Sequence, residues 1–191
     1  MSSRAMKVAR ALAFAACASA GACGGAASNG GETATAEEGQ SGESSGVEAQ
    51  YDAYMGQAGL AIAEDRTQDA LDAYLAAAAV LDGSGQVTIE LAEAHFLAAD
   101  VAYQRVDRDL AISEYQKAID IYLRFTGNSK IKAAVALTNM GVMYKEKAEK
   151  NKARNCWEQA LQLYKEAPPE LQDHPNMRKI EQNIRDLDAG Y

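Results

Sequence analysis

The stretch Leu137-Thr138-Asn139-Met140-Gly141-Val142-Met143-Tyr144, followed by Ala153-Arg154-Asn155-Cys156-Trp157-Glu158-Gln159-Ala160, decides the fold of this chain. Leu137, Met140, Gly141 and Tyr144 share one helical face, and so do Ala153, Trp157 and Ala160. Each segment is thus a helix with one stripe to bury, and a short polar run, Lys145–Lys152, separates them.

The second segment recurs upstream. Ala111, Tyr115 and Ala118 repeat the 4-and-3 spacing, and so do Ala70, Tyr74 and Ala77, at intervals of 42 and 41 residues. A matching helix precedes each. Phe96, Ala99, Asp100 and Tyr103 follow the 3-1-3 spacing of the opening stretch, as do Met55, Ala58, Gly59 and Ile62. Small residues at these points let two helix axes approach to about 8–10 Å. Pro168-Pro169 closes the third unit. His174-Pro175 opens one more helix, in which Met177, Ile180, Ile184 and Leu187 form the apolar side.

L-x-x-M-G-x-x-Y, A-x-x-x-W-x-x-A and then Pro resembles a tetratricopeptide repeat, and the longer period is similar to the kinesin-light-chain type of that family. The expected fold is all-α: an α-solenoid of three stacked helix-turn-helix repeats at about 48–82, 87–126 and 129–167, with a capping helix at 175–188. Seven helices and no sheet are expected over 48–188. One helix pair cannot bury its own face, which is why such units stack.

The N-terminus reads as an address. Met1–Arg10 is basic, and Ala11–Ala22 (ALAFAACASAGA) is small and apolar but too short to span a bilayer. Ala20-Gly21-Ala22-Cys23 resembles the lipobox of bacterial lipoproteins, with Ala20 where Leu is usual. That resemblance implies a signal peptide over 1–22, lipidation of Cys23, and a place on the periplasmic side of the outer membrane in the bacterial envelope. Residues 23–47, rich in Gly, Ser and Glu, read as a disordered tether. Cleavage by an ordinary signal peptidase, giving a secreted protein, and an organelle transit peptide remain open.

The first 31 residues hold three basic residues and no acid; the remainder carries all 27 acidic residues against 16 of the 19 basic ones. That balance argues against nucleic acid as partner. Cys156 stands alone in the repeat region, so no disulfide framework is expected. His95 and His174 are far apart, and no Cys/His cluster has metal-ligand spacing. No phosphate loop, nucleophile motif or catalytic carboxylate pair is legible, so neither an enzyme nor a cofactor is expected.

In the resembled family the first helix of each pair lines a concave face that holds peptides or partner helices. The resemblance therefore implies a non-catalytic scaffold with a protein or peptide partner, or with a second copy of itself. By position, the third unit offers Val135, Thr138, Asn139, Val142, Lys145 and Glu146. The second offers Ala94, Leu97, Val101, Gln104 and Arg105; the first offers Ala53, Gly56, Leu60, Ala63 and Glu64. Asn139 is singled out, because an amide there can bond a peptide backbone as donor and acceptor.

Overall fold

The structure, a computed structural model, describes residues 40–169 and 174–189. The signal peptide, Cys23 and most of the expected tether lie outside them. Seven helices are described: α1 (Gln40–Ala63), α2 (Thr67–Gly83), α3 (Ile89–Gln104), α4 (Arg108–Tyr122), α5 (Asn128–Glu146), α6 (Lys150–Lys165) and α7 (Pro175–Asp188). There is no strand among the described residues. The chain divides at Gly46/Val47, and the solenoid belongs to Val47–Tyr191. Helix α1 starts at Gln40, so the end of the Gly/Ser-rich run is helical although its composition carries no helical signal.

Helices α1/α2, α3/α4 and α5/α6 form three successive pairs. The nine anchors of the second helices (Ala70, Tyr74, Ala77 and their equivalents) are all buried, with Trp157 and Tyr115 among the largest fully enclosed side chains; Tyr164, later on α6, is another. Helix α7 docks on α6. His174 stacks on Tyr164 at 4.9 Å between ring centroids, and the Asn176 amide donates to the Tyr164 hydroxyl at 3.2 Å. Pro175 occupies the first turn, where no amide is needed, and Ile180 and Leu187 are buried.

The turn within each pair is the same device used three times. Asp65, Val106 and Ala148 take left-handed φ values of 61°, 67° and 60°. The next residue's amide bonds back five residues, from Arg66 to the Ala61 carbonyl, Asp107 to Ala102 and Glu149 to Tyr144. The middle amide bonds three back, to Ile62, Tyr103 and Lys145. This is the Schellman pattern, which satisfies the last carbonyls of the first helix.

These turns correct the register expected for the first helices. They make Ala61, Ala102 and Tyr144 equivalent, and hence Ala58, Ala99 and Gly141. Spacing alone pairs Gly141 with Gly59 and Asp100, one residue further on. Burial agrees with the turns: Ala58 and Ala99 are enclosed, Gly59 is exposed and Asp100 only half-buried. The mismatch arose because Tyr103 imitates Tyr144, whereas the turn length is fixed by its hydrogen bonds.

The same correspondence sets α1 apart from α3 and α5. Met143 is 0% exposed and Val101 3%, but the equivalent Leu60 is 64% exposed. One and two turns before it, Gln57 and Ala53 are exposed where Ala98, Ala94, Met140 and Ala136 are buried in the later units. That side of α1 is thus exposed where the equivalent sides of α3 and α5 are packed.

Candidate interaction face of the first helices

Helices α1, α3 and α5 carry the candidate face. In the corrected register Val135, Thr138, Asn139, Val142 and Lys145 of α5 correspond to Glu93, Phe96, Leu97, Asp100 and Tyr103 of α3. They correspond in turn to Asp52, Met55, Gly56, Gly59 and Ile62 of α1. All five of the α3 residues are half-buried.

The expected site residues fall into three groups. Leu97, Val135, Asn139, Val142 and Lys145 are half-buried in this row, and Gln104 is exposed at its end. Val101 and Thr138 are corrections: they are 3% and 4% exposed and offer no surface. Val101 turns to the packed side once the register moves by one, and the Thr138 hydroxyl donates to the Ala134 carbonyl of its own helix at 2.7 Å. Arg105 is exposed, but in the tight turn after α3 rather than on the helix. Spacing alone missed Phe96, Asp100 and Tyr103 as members of the row.

A polar chain crosses between the second and third pairs. The Tyr115 hydroxyl, rising from α4, donates to the Asp100 carboxylate and accepts the Asn139 amide at 3.0 Å. Asn139 therefore already has an internal partner. Burial pushes the Asp100 carboxyl above the usual range, and the Tyr115 hydrogen bond only partly opposes it. Burial also pushes the Tyr115 phenol far up, with the Asp100 charge adding to it.

The other acids between α3 and α5 are paired. Glu146 accepts from the Tyr103 hydroxyl and from Arg108 Nε, both at 2.8 Å. Lys132 pairs with Glu93. These contacts also tie the second pair to the third.

On the other face, a crevice of about 370 Å³ opens between α4, α5 and α6, with Ile119, Leu137, Met140 and Cys156 among its walls. Burial pushes the Cys156 thiol up to about 11, so at neutral pH it is a protonated packing group rather than a nucleophile. Trp157, behind Cys156, is wholly enclosed and donates its indole N–H to the Thr138 carbonyl at 3.1 Å. Among the described residues no group of three or more His, Cys, Asp or Glu could hold a metal ion, and no helix is long and apolar enough to cross a membrane.

Comparison with known proteins agrees with this geometry. No curated protein matches the chain. The crystal structure of BtubC (BKLC) from P. vanneervenii is similar, with a TM-score of 0.62 at 18% identity, over 72% of this chain and 54% of that one. The present chain thus spans about half the length of that protein, and the likeness is one of fold. The family model of the tetratricopeptide repeat matches residues 90–166, helices α3 to α6. The second and third pairs are thus similar to tetratricopeptide repeats, and the described chain has the fold of a tetratricopeptide-like α-solenoid.

Proposed function

We propose that this protein is a non-catalytic binding module of the bacterial envelope, held to the membrane by a lipid on Cys23, whose α1/α3/α5 face takes a segment of a partner protein. Tetratricopeptide repeats generally mediate protein–protein interaction. The observation that carries the reading is the row itself. Phe96, Leu97, Tyr103, Val135 and Val142 are half-buried within this row on two neighbouring helices, apolar surface with polar ends of the kind that accepts an extended or helical segment.

The test is a photo-crosslinking amino acid at Leu97 or Val142 in cells that make the full chain, with Asp120, on the opposite face of the pairs, as control. A specific adduct from the α3 and α5 sites alone supports the reading. Equal labelling from all three sites, or none, removes it. Anchoring is tested separately by the intact mass of membrane-purified protein beside Cys23→Ser. A chain starting at Cys23 with acyl mass, lost in the variant, supports the lipid; cleavage without lipid makes the module secreted, and an unprocessed chain removes the anchoring reading. Self-association through the same face is the second reading, and a concentration-independent monomer in ultracentrifugation would end it.

A further inference from the structure

We propose that Asp100 is the anchor on this face for a cationic side chain, lysine or arginine, of the bound segment. The proposal rests on the α1/α3/α5 face being the binding face, and it names the chemistry of the partner there.

Three observations carry it. First, Asp100 stands apart from the acids around it. Glu93 is met by Lys132, and Glu146 by Arg108 and Tyr103, whereas no basic side chain pairs with Asp100 among the described residues. A carboxylate has about four lone-pair sites, and the bond given to Asp100 is the one from Tyr115. Second, its surroundings suit a cation. Phe96 and Tyr103 lie one turn before and after it on α3, and the Phe96 ring meets Tyr115 edge-on at 5.4 Å. Aromatic walls beside an acid favour an ammonium or guanidinium group. Third, there is room. Gly59 holds the equivalent place on α1, and a Cβ there would meet nothing within 4 Å. Helix α1 is the neighbour of α3, as the reach of the Tyr51 hydroxyl to the Glu90 carbonyl shows.

The half-buried carboxylate is desolvated without a counter-charge, so an incoming cation gains a charge-assisted hydrogen bond where screening by water is weak. Asn139, joined through Tyr115, fixes the phenol that orients the acid.

The experiment pans a phage library of random 12-residue peptides on the full chain, then measures selected peptides by fluorescence polarisation. Asp100→Asn preserves an acceptor for Tyr115, and a thermal melt checks its fold. The expected result is enrichment of Lys or Arg at one position. Binding of such a peptide should fall at least about tenfold in Asp100→Asn, and by a similar factor when its basic residue is changed to Met, with little further loss when both changes are combined. Equal losses for the Lys and Met peptides, or a basic preference that survives Asp100→Asn, overturn the proposal while leaving groove binding intact. Failure to retain any peptide, or retention unaffected by Leu97→Arg, counts against the binding face itself and the proposal with it.

Discussion

His95 Nδ1 and Glu114 Oε2 meet at 2.7 Å inside the second pair, both side chains 3–4% exposed, at the two positions where the third pair holds Leu137 and Cys156. One repeat thus carries a buried polar contact where its neighbour carries an apolar one. Lys117 completes the carboxylate from outside at 2.8 Å, and Asp82 Oδ2 lies 3.7 Å from His95 Nε2. Losing one partner strands the other. His95→Leu or Glu114→Cys alone should cost about 2–5 kcal/mol. The double change, which copies the third pair, should return to within about 1–2 kcal/mol of the parent. Urea unfolding of the four proteins in reducing buffer measures the coupling; simple additivity would mean that the contact contributes nothing.

The same carboxylate sets an acid limit on stability. Burial works to raise the Glu114 pKa, but the bonds from His95 and Lys117 outweigh it and hold the group below its ordinary value. A depressed carboxylate stabilises the fold above its unfolded pKa, about 4.3, and that contribution is lost as pH falls through the folded value. Asp100, held above its ordinary value, acts with the opposite sign: its ionised form burdens the fold as pH rises through and beyond the unfolded pKa. The urea midpoint should therefore fall below about pH 4.5. Glu114→Gln should flatten that fall, and Asp100→Asn should steepen it while raising stability at neutral pH. Parallel profiles for all three proteins would remove both assignments.

The second helices were legible in the sequence because Ala70, Tyr74 and Ala77 and their two later copies are fixed by packing, and packing leaves a spacing. The first helices were less so. Their stripe is broad and rich in Ala, so that sliding Phe96-Ala99-Asp100-Tyr103 by one residue still leaves small and large residues in plausible places. Only the hydrogen bonds of the turns at Asp65, Val106 and Ala148 fix the register. By spacing, Asp100 merely shares a place with Gly141, and His95 is an isolated histidine. The residues that explain them, Tyr115 and Glu114, lie 15 and 19 positions away, on the other helix of the pair.

Gly141 and Gly59 should respond oppositely to the same change. A Cβ on Gly141 would fall 2.6 Å from Trp157 Cδ1, and the ring cannot retreat without giving up its bond to the Thr138 carbonyl. Gly141→Ala should cost about 2–4 kcal/mol. Adding Trp157→Tyr should recover part of that, since the first two pairs combine alanine with tyrosine at these positions. On Gly59 the Cβ meets open space, so Gly59→Ala should gain about 0.5–1 kcal/mol from helix propensity alone. Denaturant midpoints decide, and equal effects at the two sites would contradict the corrected register.

Val106 sits at φ 67° with its side chain exposed, in the turn between α3 and α4. A left-handed conformation costs an ordinary residue about 1–2 kcal/mol, and a β-branched side chain suffers most. Glycine removes that strain but frees the unfolded chain by about 0.5–1 kcal/mol. Val106→Gly should therefore be neutral to stabilising by about 1 kcal/mol, raising the melting temperature by about 2–4 °C. Val106→Asn, which tolerates this region without glycine's added freedom, should do at least as well. Ala148→Gly, with no branched side chain to relieve, should gain less. The ordering of the three melting temperatures is the test: if Val106→Gly lowers stability, the Val106 side chain contributes a contact that outweighs its backbone strain.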